Sequence, residues 1–151
     1  RLYEKFLLEY YRKEHPELSA NASQIAWQLD DSENQLLPKM QTDIMLSQEN
    51  NILIIDAKYY SHMTQRQYGT NTLHSNNLYQ IFTYVKNKEF ELKNCEHTVS
   101  GMLLYAQTDE DIIPNNTYQM SGNQISVRTL NLNQDFSRIA ESLDDIVKNY
   151  F

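Results

Sequence analysis

The sequence contains very little cysteine and glycine, and it has no long apolar run. A single cysteine among 151 residues, Cys95, excludes an internal disulfide, and we expect a protein of the reducing cytoplasm. The three glycines form no Gly-rich phosphate-binding loop, so any use of a nucleoside triphosphate would belong elsewhere. No apolar stretch is long enough to cross a bilayer, and we therefore expect no membrane partner.

Basic residues are scarce as well. The chain has 13 Lys and Arg against 20 Asp and Glu, which gives a formal net charge of −7. This charge argues against broad electrostatic adhesion to nucleic acid. Binding of a polyanion would require local basic patches or a partner that supplies positive charge. The candidates for such patches are Arg12, Lys13, Lys39, Lys58, Arg66, Lys86, Lys88 and Lys93.

The length and the apolar pattern predict one α/β domain. A chain of 151 residues suits a single domain, 1–151, and because it begins at Arg1 rather than Met we expect it to be one domain of a longer protein. Apolar periodicity predicts helices over 2–14, 76–88 and 133–150, the last with an asparagine cap. It predicts strands over 24–29, 39–47, 52–60, 98–107, 117–120 and 124–132.

The predicted strands 39–47 and 52–60 form a hairpin whose register can be derived. A two-residue loop at Glu49 and Asn50 pairs residues whose numbers sum to 99, which sets Asp43 directly opposite Asp56. Because side chains alternate across a strand, Lys58 points to the same face as Asp56. Two carboxylates and an amine would therefore converge at the end of an otherwise apolar strand.

This convergence favours a site for a hard cation. Adjacent carboxylates repel each other and raise each other's pKa unless a cation lies between them, and Lys58 offsets only part of this repulsion. Carboxylate oxygens suit Mg²⁺ or Mn²⁺, with water and a phosphate completing the shell. We therefore expect a metal site at Asp43 and Asp56. The alternative is an exposed hairpin with an ordinary Asp–Lys surface pair, which the apolar strand disfavours.

Three segments carry a family resemblance. Thr42 and Asp43, followed by IIDAK at 54–58, resemble the PD-(D/E)xK nuclease motif, with threonine where that motif has proline. The segments LLPKMQTDIML, ILIIDAKYY and SNNLYQIFTYV together resemble the C-terminal nuclease domain of the McrC family, the cleavage subunits of McrBC modified-cytosine restriction systems. Gln80 and Tyr84, stacked on one face of the predicted helix, resemble the Gln-x-x-x-Tyr motif of RecB-like nucleases.

The resemblance implies both a fold and an activity. The implied fold is a restriction-endonuclease-like α/β core, with a central mixed sheet of about four to six strands flanked by helices. The implied activity is that of a Mg²⁺-dependent (or Mn²⁺-dependent) endodeoxyribonuclease of a 5-methylcytosine-dependent restriction system. Its partners would be DNA and a McrB-like GTPase that binds through a segment outside this chain. The implied catalytic residues are Asp43, Asp56, Lys58 and Gln80, and the implied metal ligands are Asp43, Asp56 and Ala57.

Further residues are candidates for supporting roles. The resemblance to PD-(D/E)xK nucleases implies that Glu4 on the first helix approaches the metal; the alternative is that Glu4 only stabilises the helix N-terminus. Residues 61–75 are polar and long for a connector, and we interpret them as a DNA-facing or gating loop, with plain disorder as the alternative. In that loop Arg66 and Tyr68 would contact phosphate and base. The histidines, His62 and His74, have no compact metal-ligand spacing.

Two other functions stay open at this point. One is a RecB-like or phage-type nuclease of DNA repair or recombination, which would share the motif but not the partner. The other is a catalytically inactive DNA-binding or docking module with the same fold. The complete set of Asp43, Asp56, Lys58 and Gln80 favours an enzyme over such a module.

Overall fold

A computed structural model of the protein describes residues 2–59, 64–67, 70–107 and 113–151. Within these ranges the helices are α1 (Leu2–Glu14), α2 (Ser75–Glu91) and α3 (Phe136–Tyr150). The strands are β1 (Ser19–Asn21), β2 (Gln24–Ile25), β3 (Met40–Gln41), β4 (Ile44–Gln48), β5 (Asn51–Lys58), β6 (Thr64–Gln67), β7 (Thr70–Leu73), β8 (Thr98–Ala106), β9 (Asn116–Met120) and β10 (Asn123–Leu130). In this described part of the chain, none of the helices is long and apolar enough to cross a membrane.

Six of the strands form a mixed sheet in the order β1-β4-β5-β8-β10-β9. The central pairs β5–β8 and β8–β10 are parallel, and the outer pairs β1–β4, β4–β5 and β10–β9 are antiparallel. Parallel strands at the centre of a sheet need apolar side chains on both faces, as the long apolar runs of β5 and β8 provide. The predicted mixed sheet of a restriction-endonuclease-like core is thus confirmed.

Helices cover both faces of the sheet and divide the core into two layers. Leu53 and Ile55 of β5 pack in one apolar cluster with α1 and α3. Ile52 and Ile54 point to the opposite face and pack with Ile81 and other buried residues of α2. Because side chains alternate along β5, Asp56 and Lys58 point to the same face as Ile52 and Ile54, which is the face that α2 covers.

Several element boundaries differ from those predicted from sequence. The predicted strand 39–47 is split into β3 and β4 by Thr42 and Asp43, because Thr42 is hydrogen-bonded to Ser23 rather than to a strand partner. Of the predicted strand 24–29, only the two residues of β2 form a strand, and they pair with β3 in a separate two-stranded sheet. The segment 17–23, for which no strand was predicted, contributes β1 as an edge strand that buries Ala20.

The predicted polar loop and the final helix also need correction. Of residues 61–75, the described part is a two-stranded ribbon of β6 and β7, and α2 begins at Ser75. Threonines at three of the eight ribbon positions favour an extended backbone over an unstructured loop. Residues 61–63, 68 and 69, with His62 and Tyr68, lie outside the described residues. The cap of α3 is Asp135, with no side-chain cap hydrogen bond, so the predicted asparagine cap is wrong.

Gly101 allows α2 to pack closely on β8. A Cβ atom at this position would lie 2.7 Å from Val85 Cγ2 and 2.8 Å from Ile81 Cγ1, both side-chain atoms of α2. These separations are shorter than carbon atoms tolerate, so any larger residue would push the helix away from the sheet. Since α2 also carries Gln80, the position of this helix matters for the polar cluster described below.

We therefore expect Gly101→Ala to lower the free energy of unfolding by about 1–3 kcal/mol, the usual effect of overfilling a packed core. Chemical denaturation monitored by circular dichroism measures this change. Gly122→Ala is the matched control for a glycine substitution, because nothing lies within 4 Å of a Cβ there and only its positive φ of 88° strains the new residue. If Gly101→Ala were no less stable than the parent, the close packing of α2 on β8 would be wrong.

Candidate functional site

The hairpin of β4 and β5 has the register predicted from sequence. Ile44 pairs with Ile55 and Gln48 with Asn51, so partners sum to 99, and Glu49 and Asn50 form the turn. Glu49 adopts a positive φ of 55°, as a tight hairpin turn requires. The next step beyond Ile44 and Ile55 brings Asp43 opposite Asp56, and the prediction of this register is confirmed.

Asp43 and Asp56 form a pair of acids at the end of the hairpin. The two carboxyl groups are hydrogen-bonded to each other, and Asp43 Oδ2 also accepts a hydrogen bond of 2.8 Å from the Ala57 N–H. Asp56 is 5% exposed and Asp43 is half-buried. Burial, followed by the contact with Asp56 and its charge, raises the pKa of Asp43 to about 6, while Glu4 and the Ala57 N–H act in the opposite direction. A second negative charge at this position is therefore unfavourable unless a cation offsets it.

Lys58 supplies one positive charge to this pair. Its Nζ lies 2.9 Å from Asp56 Oδ2 and donates a hydrogen bond of 3.0 Å to Gln80 Oε1. The side chains of Lys58 and Asp56 are only 13% and 6% exposed, so the ion pair is shielded from water. One ammonium group beside two carboxyl groups leaves the cluster with an excess of acid, as the sequence predicted.

Gln80 and Tyr84 connect the cluster to the chain that carries Asp43. Gln80 Nε2 donates to Tyr84 Oη at 3.0 Å, and Tyr84 Oη lies 3.4 Å from the carbonyl oxygen of Gln41. Gln41 is two residues before Asp43, so these contacts tie α2 to both sides of the hairpin. Gln80 thus contacts Lys58, as the resemblance to RecB-like nucleases implied, and Tyr84 contacts Gln80, as their spacing of four residues predicted.

Thr42 has a structural reason to stand where the nuclease motif has proline. Its N–H donates to the carbonyl oxygen of Ser23 at 3.0 Å, and its Oγ1 donates to the same oxygen at 2.6 Å. Proline has neither an N–H nor a hydroxyl group, so it could make neither bond. In this chain the residue before Asp43 is therefore held by two hydrogen bonds rather than by a rigid ring.

The acids open onto a cleft of about 900 Å³. Its polar side comprises Glu4, Asp43, Asp56, Lys58 and Gln80. Its apolar side was not expected from the sequence, and it comprises Leu2, Tyr3, Phe6, Tyr59 and Leu132. Helix α1 contributes to both sides, since its first turns lie across the end of the hairpin. Tertiary packing brings this helix to the site, and of its residues only Glu4 was a candidate from the sequence.

Glu4 is the supporting residue that the structure brings closest to the acids, since its side chain is hydrogen-bonded to Asp43. Among the described residues, no three His, Cys, Asp or Glu side chains form a group that could hold a metal ion unaided. The protein's share of a cation shell would therefore be the carboxylates of Asp43 and Asp56, with backbone and water as further ligands. The side chain of Arg66 lies outside the described part of the structure.

Three of the basic residues that could form patches are paired with acids on their own helices. Arg12 lies 3.0 Å from Glu9, Lys86 lies 3.2 Å from Glu89, and Lys88 lies 2.8 Å from Glu91. Each pair spans one turn of a helix and leaves little net positive charge. Among the described residues that line the cleft, Lys58 is the one cationic side chain. The described lining of the cleft therefore contains no row of cations of the kind that grips a double helix by its phosphates.

Comparisons with known proteins identify relatives of this chain. A family model described as McrBC 5-methylcytosine restriction system component matches residues 1–106, which include α1, the acid pair and α2. The Type IV methyl-directed restriction enzyme EcoKMcrBC of Escherichia coli (strain K12) is 36% identical over 152 residues. The match covers 99% of this chain and 42% of the relative, so the chain spans less than half the length of that protein.

Proposed function

The chain belongs to the family of McrBC 5-methylcytosine restriction system components, and from this premise we propose that it is a metal-dependent endonuclease that cleaves DNA phosphodiesters. The observation that carries the proposal is the acid pair, Asp43 and Asp56, in contact with each other and with a single lysine. Structural ion pairs balance their charges, whereas this cluster has an excess of acid in a cleft. Such an excess is typical of a site that takes a cation together with an anionic substrate.

The residues at the end of the hairpin fit Mg²⁺ or Mn²⁺. Asp43 and Asp56 would hold the ion through carboxylate oxygens, the ligands that hard divalent cations prefer. The Ala57 N–H points to Asp43, and the carbonyl of a residue in an extended strand points to the same edge as its N–H. The Ala57 carbonyl is therefore available as a third protein ligand. A bound ion would polarise the scissile phosphate and lower the pKa of the attacking water.

Lys58 and Gln80 would act on the water and the phosphate. Lys58 Nζ lies 2.9 Å from Asp56 Oδ2 and donates a hydrogen bond to Gln80 Oε1. The ammonium group would orient the attacking water or neutralise the charge that develops on the phosphate oxygens. Gln80 holds Lys58 through its Oε1, and its amide has one N–H beyond the hydrogen bond to Tyr84 for a water or phosphate oxygen.

Recognition of methylated DNA would be the task of a partner. The relative in Escherichia coli is described as a methyl-directed restriction enzyme, and this chain spans 42% of its length. The sequence contains no Gly-rich nucleotide-binding loop and carries a net charge of −7. We therefore propose that a McrB-like GTPase supplies the modified-base recognition and much of the DNA affinity. This chain, residues 1–151, would itself supply the cleavage step.

Titration calorimetry with Mn²⁺ tests the metal site without requiring DNA or a partner. We expect the parent protein to bind Mn²⁺ and Asp43→Ala to lose this binding, because a single carboxylate is a poor site for a hydrated divalent ion. Asp145→Ala is the matched control, since Asp145 is an exposed acid on α3 far along the chain from the cluster. A parent protein that binds no Mn²⁺, or an Asp43→Ala variant that binds it equally well, would support a catalytically inactive scaffold instead.

A further inference from the structure

A buried polar pair lies in the largely apolar layer between α2 and the sheet. Asn77 Nδ2 donates a hydrogen bond of 2.9 Å to Tyr105 Oη. Asn77 is 4% exposed and Tyr105 is 0% exposed, and the Tyr105 ring belongs to the apolar cluster of Ile54 and Ile81. Two apolar side chains of similar shape could hold the fold nearly as well, because the net gain from a buried hydrogen bond is small. A role other than stability is therefore needed to explain the pair.

Tyr105 lies next to Lys58 in the sheet. In the parallel ladder of β5 and β8, Lys58 is the register partner of Tyr105, as Asp56 is of Leu103. Register partners on neighbouring strands point to the same face of a sheet, and here this is the face that α2 covers. The Tyr105 ring and the Lys58 side chain therefore leave the sheet side by side, toward α2.

Asn77 lies one turn before Gln80 on α2. Residues three apart on a helix are neighbours on its surface, so Asn77 and Gln80 share a face. Gln80 Oε1 accepts a hydrogen bond of 3.0 Å from Lys58 Nζ. Two polar contacts thus join the same turn of α2 to adjacent strands, one from Gln80 to β5 and one from Asn77 to β8.

Apolar packing alone defines the position of Gln80 along the sheet only loosely. Immediately after Gln80, α2 packs on Gly101 through the side chains of Ile81 and Val85. Such contacts set the distance between helix and sheet, but they have no direction. A hydrogen bond requires a particular distance and angle, and in a buried setting it selects one arrangement of the elements that it joins. The bond from Asn77 therefore fixes where the first turn of α2 lies on β8.

We propose that Asn77 and Tyr105 are positioning residues that hold Gln80 against Lys58, and so direct the lysine to the water or phosphate at the acid pair. Neither residue belongs to the described lining of the cleft, so both act through Gln80 rather than on the substrate. The inference rests on the proposed nuclease function and extends it to two residues behind the cleft.

A double-mutant cycle of cleavage rates tests this inference, with the proposed GTPase partner in the assay. Tyr105→Phe removes one hydroxyl group and keeps the ring in the core. Because a displacement of about 1 Å costs up to about 10²-fold in rate, we expect this variant to lower kcat about 10- to 100-fold with KM unchanged. Gln80→Ala/Tyr105→Phe should be no more than about 2-fold slower than Gln80→Ala alone, because the pair acts through Gln80.

Tyr11→Phe is the matched control for the loss of a buried hydroxyl group. Tyr11 is also 0% exposed, and its Oη donates a hydrogen bond of 2.9 Å to the carbonyl oxygen of Leu143, which joins α1 to α3. This variant should lose stability but keep kcat within about 2-fold of the parent. An equal loss of kcat in Tyr11→Phe, or parental kcat in Tyr105→Phe, would overturn the inference. Tyr105→Phe that lowers kcat by the same factor with and without Gln80 would overturn it as well.

A second variant keeps the test decisive if Tyr105→Phe does not fold. Tyr105→Phe removes the acceptor of Asn77 Nδ2, and the loss of a buried hydrogen bond can unfold a marginal protein. Replacing both partners by apolar groups is nearly neutral for stability, so Asn77→Leu/Tyr105→Phe should unfold at the parental denaturant concentration. It should still show the loss of kcat. A folded double variant with parental kcat would overturn the inference.

A crystal structure of the Tyr105→Phe variant separates failure of the inference from failure of the nuclease function. We expect the distance between Lys58 Nζ and Gln80 Oε1 to increase from 3.0 Å to more than about 3.5 Å, beyond the range of a hydrogen bond. A distance that stays at 3.0 Å would show that the pair does not position Gln80, even if the parent protein cleaves DNA and Asp56→Asn does not. If the distance increases but the parent protein shows no metal-dependent cleavage, the nuclease function is wrong, and the catalytic role of the pair falls with it.

Discussion

Replacing Asp56 with asparagine is expected to lower the rate of Mg²⁺-dependent DNA cleavage by at least about 10³-fold. Asp56 is the more buried of the two acids and lies 2.9 Å from Lys58 Nζ. Asparagine keeps the size of the side chain and an oxygen that can accept from Lys58, but it removes the negative charge that would hold a divalent ion. A cleavage assay with this protein and the proposed GTPase partner measures the effect.

Asp145→Asn is the matched control for this experiment. It removes one negative charge from an exposed position on α3 and should cleave at the parental rate. Circular dichroism should give the same spectrum for all three proteins, because the asparagine at position 56 still fits its site. Cleavage by Asp56→Asn at the parental rate in Mg²⁺ would show that the acid pair is not the catalytic site.

Asp43→Asn is expected to abolish cleavage and yet to stabilise the metal-free protein. The pKa of Asp43 is about 6 in the folded protein, above its ordinary value of 3.8, so the fold holds this proton more tightly than the unfolded chain does. The stabilisation from this group is therefore complete below pH 3.8 and is lost as the pH rises through 6. At pH 7.5 the ionised carboxylate disfavours the fold, and asparagine removes that effect.

The size and the metal dependence of this change can both be measured. A pKa rise of this size corresponds to about 3 kcal/mol for a fully buried group, and partial exposure of Asp43 reduces it to about 1 kcal/mol. In EDTA at pH 7.5, Asp43→Asn should therefore need more denaturant to unfold than the parent protein. In Mg²⁺ at 100 times the dissociation constant the parent gains about 2.7 kcal/mol and the order should reverse.

The pH dependence separates this explanation from a general effect of charge. Asp145→Asn removes the same charge and should leave the stability within about 0.5 kcal/mol of the parent. Between pH 4 and 7 the difference between Asp43→Asn and the parent should grow, because only the parent ionises at this position. An Asp43→Asn variant that is less stable than the parent in EDTA at pH 7.5 would contradict the raised pKa of Asp43.

The sequence predicted the polar half of the site because local rules determine it. A two-residue turn sets the register of β4 and β5, and this register sets Asp43 opposite Asp56. The alternation of side chains then places Lys58 beside Asp56. The spacing of four residues on α2 likewise sets Tyr84 next to Gln80. Each of these inferences needs only one element or one hairpin.

The apolar half could not be predicted because it depends on packing between distant elements. Leu2 and Tyr3 are at the start of α1, and only the docking of this helix on the sheet brings them to Tyr59. The break between β3 and β4 has a similar origin, since it follows from hydrogen bonds between Thr42 and Ser23. The three-residue strand β1 is too short to have a period of its own, and its pairing with β4 defines it.

The central claim is that two acids from neighbouring strands hold a divalent ion beside a lysine. Crystals soaked in Mn²⁺ test it most directly, because anomalous scattering locates the ion without reference to activity. We expect an anomalous peak within about 2.5 Å of a carboxylate oxygen of both Asp43 and Asp56. Mn²⁺ bound only at other residues, with these two carboxylates still in contact with each other and with no ion, would contradict the account.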